Sequence, residues 1–362
     1  MNIGSFAVTL ISFVVALGVL VFVHELGHFL VAKKVGVFVQ RFSIGFGPVI
    51  FARRRGETEY AVSAVPLGGY VKMLGEDDEE EAHVNPARAF STQSVPRRAA
   101  IVFAGPAMNL VFAFVAYAVL FATVGVDTAS NLPRVGGVSA GLPAERAGLR
   151  AGDQIVEIDG EPIETWEELS KRIVASKGAR LRLTVEREGA RFPLEITPEL
   201  QPNRTINGET GESYRIGIEI SHDWEHVGPV RAVIMAGEQT WGMSVVIVKG
   251  LGMILTGRVS ASELGGPIAI ARAAGQQARA GVRYFLATLA LLSVNLAVLN
   301  LLPVPMLDGG HLAFFAVESV MRRPLQRRHR ELAMQVGLLL LLTLIVFVSY
   351  NDIHRLLRDW LS

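Results

Sequence analysis

Two histidines and a glutamate stand together in an apolar stretch, VFVHELGHFLVAKK, at residues 21–34. His24 and His28 are four residues apart. On a helix that spacing puts both imidazoles on one face, one turn apart, where they can grip a single metal ion. Glu25 sits beside them and can take a proton from a metal-activated water. This is the H-E-x-x-H pattern of zinc hydrolases. The competing explanation is a pair of histidines packed in a helix bundle. It is weak, because no charged residue precedes His24 and burying His, Glu and His in lipid is costly without a purpose.

A catalytic zinc takes three protein ligands and an open position. The chain has no cysteine, so the third ligand must be His, Asp or Glu. Disulfide scaffolds and thiol nucleophiles are excluded on the same ground. With 362 residues, half of them hydrophobic, the chain is long enough for several domains and too apolar for an ordinary soluble enzyme. A net charge of +1 gives no reason to expect nucleic acid.

Four apolar runs are long enough to cross a bilayer, which takes roughly 20 helical residues. They occupy 1–32, 99–126, 284–307 and 332–350. The first lacks a basic leader and continues past His28, so it is expected to be a retained span. Basic residues cluster between spans one and two (Lys33, Lys34, Arg41, Arg53 to Arg55, Arg97, Arg98) and between spans three and four (Arg322, Arg323, Arg327, Arg328, Arg330). Both loops are therefore expected on the cytoplasmic side, with the long segment 127–283 opposite. Residues 230–257 are apolar but carry Arg231, Glu238 and Lys249. A crossing there would put the second basic loop outside. The segment 226–283 is instead expected to be amphipathic, lying on the membrane or packed on the protein.

This topology points to the third ligand. Span three ends in NLLPVPMLDGGH, residues 300–311. Asp308 falls at the cytoplasmic end of that span, and His24 and His28 fall in the cytoplasmic half of span one. The three meet at one depth. The alternative role for Asp308 is a helix N-cap. HDWEH at 222–226 matches an inverted zinc pattern but sits in polar sequence before Gly228 and Pro229, poor ground for a helix. His311 could support Asp308 from one turn away. His83, His329 and His354 read as surface residues.

HELGH, GFGP at 45–48, PLGGYVKM at 66–73, GP at 105–106 and NLLPVPMLDGGH together resemble the bacterial site-2 protease family. Within it the chain is similar to the RseP-type regulated intramembrane zinc metalloproteases. The likeness covers nearly the whole chain. It implies a polytopic α-helical membrane protein with four transmembrane helices, a membrane-associated β-hairpin and one extracytoplasmic PDZ domain of α+β type. It implies Zn2+ held by His24, His28 and Asp308, with Glu25 as the catalytic base. Substrates would be single-pass transmembrane proteins of the anti-sigma-factor type, or remnant signal peptides. The setting would be the bacterial inner membrane, with the PDZ domain periplasmic.

The remaining segments take their roles beside that resemblance. FSIGFGPVIFA (42–52) and EYAVSAVPLGGYVKM (59–73) alternate like strands. Within region 33–98 they form either a membrane-dipping β-loop that receives unwound substrate by strand addition, or an ordinary hairpin. Asn300 precedes the helix-breaking Pro303 and Pro305 by one turn. The resemblance makes these three a substrate-binding segment; a plain interhelical hydrogen bond from Asn300 is the alternative. Asn109 reads as helix-packing glue. Residues 131–199 carry AGLRAGDQIVEIDGEPI and read as the PDZ domain, a binder of chain ends or a steric shield. Residues 308–331 form the LDG motif and a cytoplasmic loop, and EDDEEE at 76–81 a solvated acidic stretch. Two other functions stay in view: a membrane-anchored PDZ adaptor with a non-catalytic metal site, and a zinc transporter. An intact Glu25 argues against the first. The second needs several polar spans, whereas only spans one and three carry ionisable groups.

Overall fold

The computed structural model describes residues 3–76, 83–204, 210–260, 265–323 and 325–361. The chain divides into two compact units, 1–122 with 228–362, and 123–227.

In the first unit, four helices among the described residues are long and apolar enough to cross a membrane: Gly4–Lys34, Val95–Thr123, Val282–Asn300 and Arg328–Arg358. They belong to helices α1 (Ile3–Lys34), α2 (Val95–Thr123), α7 (Val282–Asn300) and α9 (Arg327–Leu361). Large apolar side chains stay exposed along them, among them Phe6, Ile11, Leu339 and Val346. On a protein surface of this kind such a coat is a lipid-facing one. The third apolar run extends to residue 307, but the helix stops at Asn300. Pro303 and Pro305 lack the N–H groups a helix would need there, and residues 301–307 turn before α8 (Asp308–Met321) begins.

Strands β1 (Val39–Arg55) and β2 (Thr58–Met73) form one long hairpin folded back on itself. Residues 41–44 pair twice, with 69–72 on one side and 59–62 on the other. Gly45, Gly47 and Gly68, all at positive φ, supply the sharp bends that an L side chain resists. The tip is fixed by Glu57. Arg88 grips its carboxylate with two bonds of 2.7 and 2.8 Å, and Lys33 at the end of α1 adds a third. Arg88 first, and Lys33 second, pull that carboxyl down to about 2.

A core of Ala32, Val37, Val39, Phe42, Val71, Ile101 and Phe315 joins α1, the hairpin, α2 and α8. Arg98 reinforces it. Its guanidinium bonds buried Glu318 at 2.8 Å and lies 4.7 Å from the Phe315 ring centre. α8, and with it Asp308, is thereby tied to the start of α2. A second core of Ala113, Tyr117, Ala236, Ala290 and Val294 packs α5 (Pro229–Leu255) on α2 and α7. The 230–257 segment is thus packed on the protein. α6 (Pro267–Ala280) lies against α1, where Gly275 meets Thr9. Its N-terminus is capped from α9: the Asp352 carboxylate accepts the N–H groups of Gly266, Ile268 and Ala269 at 3.0 Å. Three donors that a helix start leaves unpaired are so satisfied.

The second unit has its own core: Val135, Ile155, Ile158, Leu169, Leu183, Val185 and Ile216. A sheet in the order β6–β5–β7–β8 (Glu161–Pro162, Gln154–Ile158, Leu181–Arg187, Ala190–Ile196) is joined by tight turns. Both residues of the turn at Asp159-Gly160, and both of that at Glu188-Gly189, have positive φ, as two-residue hairpins prefer. Helix α4 (Trp166–Ala175) starts with a capping box between Thr165 and Glu168. The unit runs past residue 199: Ile216 is in the same core, and β11 (Ile218–Ile220) pairs with β4 (Val135–Val138). A groove of about 720 Å3 opens between α4 and the 216–219 stretch, lined by Leu169, Ile173, Tyr214 and Ile218.

Among the described residues of this unit, Asp153 is the buried charge. Arg187 bonds it twice, at 2.6 and 2.7 Å, and the Arg150 N–H donates at 2.8 Å. Burial pushes its carboxyl up, but Arg187 and that N–H outweigh burial and hold it below the usual range. A carboxyl lowered in the folded state stabilises above its unfolded value and loses that contribution as pH falls through the folded one. Asp153→Ala is expected to destabilise the unit by about 1–3 kcal/mol, because the Arg150 N–H loses its acceptor. Hydrogen exchange at the Ile155 and Leu183 amides checks this; unchanged protection would contradict it.

Candidate metal centre

His24 and His28 lie near the middle of the last half of α1, both buried. Their rings stand edge to face with centres 4.7 Å apart and Nε2 atoms 3.1 Å apart. Asp308 comes to them from the first position of α8. Its Oδ2 is 3.1 Å from His24 Nε2, and its Oδ1 is 3.6 Å from His28 Nε2. Leu307, not Asp308, occupies the N-cap position. The two glycines that follow make this approach possible. A Cβ on Gly309 would fall 2.1 Å from the Leu302 carbonyl oxygen, and one on Gly310 2.4 Å from that of Val304. Only bare backbone lets the 301–307 turn lie back on α8 and aim the carboxylate at α1.

The proton arithmetic of the cluster is informative. His28 Nδ1 is 2.9 Å from the Ile101 carbonyl oxygen. A carbonyl can only accept, so Nδ1 carries the proton and Nε2 presents a lone pair. That lone pair faces an ionisable carboxylate, and Asp308 Oδ2 is buried without a hydrogen-bond partner. Two imidazole nitrogens and a carboxylate oxygen converge within 4.8 Å of one another. With both imidazoles presenting their Nε2 lone pairs to the carboxylate, such a cluster is stabilised by a cation. Two imidazole nitrogens and one carboxylate oxygen are the kind and number of donors a catalytic zinc takes.

Peptidase family M50 matches residues 12–344. The chain belongs to that family. A protein of Agrobacterium fabrum whose name describes it as a zinc metalloprotease is 37% identical over 365 positions, covering 96% of each chain. The regulator of sigma-E protease RseP of Escherichia coli is 34% identical over 449 positions, covering 97% of this chain and 100% of that one. Among solved structures, a PDZ domain of an SdrC-like protein from Listeria innocua is 26% identical, covers 26% of this chain and 99% of its own, and has a TM-score of 0.21.

Around the M50 cluster the other expected residues fall as follows. Glu25 accepts a hydrogen bond from the backbone of Val71, and its charge interacts with His24 and Asp308. Gly69 passes close to it; a Cβ there would touch Glu25 Cγ at 3.4 Å. Strand β2 therefore borders the cluster. Asn300, the last residue of α7, has its amide 3.5 Å from His24 Nε2. Pro303 and Pro305 lie in the turn that follows, Pro303 exposed. His311 packs edge-on to Phe314. His83, His329 and His354 are exposed. His222–Glu225 is a strand paired with Val126–Ala129, so the helix that an inverted zinc pattern requires is absent there. Of the acidic stretch at 76–81, only Glu76 is among the described residues.

Three contributors come from α2. The Ile101 carbonyl orients His28, as above. Gly105 lets the helices close up: a Cβ on it would stand 2.3 Å from His28 Nε2 and 2.9 Å from His24 Cε1. Asn109, expected as packing glue, is fully buried with its amide 3.3 Å from His24 Nδ1. Residues 101, 105 and 109 repeat every four, the same interval as His24 and His28. That matched interval was the available signal.

Proposed function

We propose that this M50 peptidase is a zinc-dependent endopeptidase that cuts the transmembrane segment of single-pass proteins in regulated intramembrane proteolysis. His24, His28 and Asp308 would hold the zinc. The observation that carries the reading is their convergence, with an unpartnered carboxylate oxygen and Glu25 alongside, among helices of membrane-spanning length.

Bound there, zinc supplies Lewis-acid activation of a water and of the scissile carbonyl. Glu25 takes the proton from the attacking water. The protonated Glu25 then hands it to the leaving amide nitrogen. The Val71 N–H holds the Glu25 carboxylate in position between these two transfers. A helical substrate hides its carbonyls, so it is unwound first, and unwound backbone in lipid needs new partners. An edge of the β1–β2 sheet provides them by strand addition. Asn300, with the 301–307 turn holding Pro303 and Pro305, provides a second anchor.

The basic loops support a cytoplasmic hairpin side, and with it a bacterial inner-membrane setting and a periplasmic PDZ domain. The named relative from Escherichia coli supports substrates of the anti-sigma type; remnant signal peptides share the same single-span chemistry. The groove beside α4 would take an extended chain end.

The test is cleavage of a purified single-pass reporter in detergent, with zinc content measured in parallel. Wild-type protein is expected to hold about one zinc per chain, to cut within the reporter's membrane segment, and to stop when a chelator strips the metal. Asp308→Ala should lose both zinc and cleavage. Chelator-resistant cleavage, or full zinc in Asp308→Ala, would overturn the assignment.

A further inference from the structure

We infer that Asn109 is a positioning residue for the metal centre: its amide oxygen accepts the Nδ1–H of His24 and so fixes which nitrogen of that ring faces the metal. The inference rests on the zinc reading above and assigns a task to a residue outside the ligand set.

His24 sets the requirement. Its Nε2 faces Asp308 Oδ2 at 3.1 Å and His28 Nε2 at 3.1 Å, so Nε2 is the ligating atom. A neutral imidazole that ligates through Nε2 carries its proton on Nδ1. That proton needs an acceptor, because the site is buried and an unpaired polar hydrogen there costs about 1–3 kcal/mol. The group within reach is the Asn109 amide, 3.3 Å away. Asn109 is 0% exposed, and its Oδ1 has no hydrogen-bond partner while Nδ2 is the atom turned to His24. Half a turn of the amide exchanges the two. The oxygen then meets the His24 N–H, and the mismatch disappears. An amide is the right group for this, since it can accept without adding a buried charge.

The surroundings hold Asn109 for that task. Ser293 of α7 donates its hydroxyl to the Asn109 backbone oxygen at 2.8 Å, and Ser293 is itself fully buried. One helix therefore orients both ligands, Ile101 through its carbonyl for His28 and Asn109 through its side chain for His24. Ring orienters of this kind typically change metal affinity by about 10–100-fold when removed.

The experiment compares Asn109→Leu and Asn109→Asp in the full-length protein in detergent. Leucine has a similar branched shape and no acceptor; aspartate keeps one. The readouts are zinc affinity, by competition with a chromophoric chelator, and the thermal midpoint of the metal-free form. Zinc binding is expected to weaken about 10–100-fold in Asn109→Leu and to stay within a few-fold of wild type in Asn109→Asp. Asn109→Ala, which fits any space, gives the same comparison if the leucine variant does not accumulate. A packing role alone would lower the midpoint and leave zinc affinity unchanged, and that result overturns the inference. So does equal loss in the variants with and without an acceptor. Wild-type protein that binds no zinc would instead overturn the reading on which the inference rests.

Discussion

Gly105→Ala is expected to disable the enzyme through a single methyl group. The added carbon would lie 2.3 Å from His28 Nε2 and 2.5 Å from His28 Cε1, closer than nonbonded carbon can stand. Neither side can yield cheaply. The His28 ring is anchored by its bond to the Ile101 carbonyl. The helices already touch one residue away, where a Cβ on Gly27 would fall 2.2 Å from the Ala104 oxygen. Either the ring swings off the metal position or α2 retreats and takes Ile101 and Asn109 with it. A displacement near 1 Å at such a site costs on the order of 100-fold in rate. Zinc affinity should fall by a comparable factor. Gly18→Ala is the control, because a Cβ there meets nothing within 4 Å. Zinc content and reporter cleavage close to wild type in Gly105→Ala would show that the helices are looser than described.

Glu25→Gln should separate chemistry from metal binding. Glu25 is outside the His24, His28, Asp308 group, so zinc should remain. The glutamine oxygen can still accept from Val71, which keeps the local fold. What disappears is the proton acceptor, worth on the order of 10²–10⁴-fold in rate. Cleavage should therefore drop by at least a hundredfold with zinc unchanged. Activity within tenfold of wild type would remove Glu25 from the mechanism, and lost zinc would make it a ligand.

The convergence of His24, His28 and Asp308 was largely legible because its signals are simple. The His24–His28 interval converts directly to one helix face. Asp308 followed from depth, since charge placement sets which ends of two spans meet. The third apolar run outlasts its helix by seven residues, because apolar composition continues through the 301–307 turn where proline ends the helix. The hairpin strands were legible from alternation. Their double pairing was not, because it depends on backbone bends at Gly45, Gly47 and Gly68 that allow 41–44 to be flanked on both sides. The second unit extends further than the 131–199 motif region, since β11 completes the fold from 80 residues downstream of β4 by a pairing that no local pattern announces. The contacts of Asn109 and Gly105 with the histidines escaped because the rotation of α2 about its axis relative to α1 is a tertiary fact. An asparagine in an apolar helix reads as packing until the ring it faces is known.

The most direct test of the account is zinc-edge X-ray absorption on the purified full-length protein and on Asp308→Ala. Two nitrogen neighbours are expected at about 2.0–2.1 Å with imidazole outer-shell scattering, and oxygen at about 2.0–2.2 Å. In Asp308→Ala the zinc should be depleted or the oxygen shell changed. A spectrum with one imidazole, or one that is identical in Asp308→Ala, would contradict the assignment of His24, His28 and Asp308 as the metal centre.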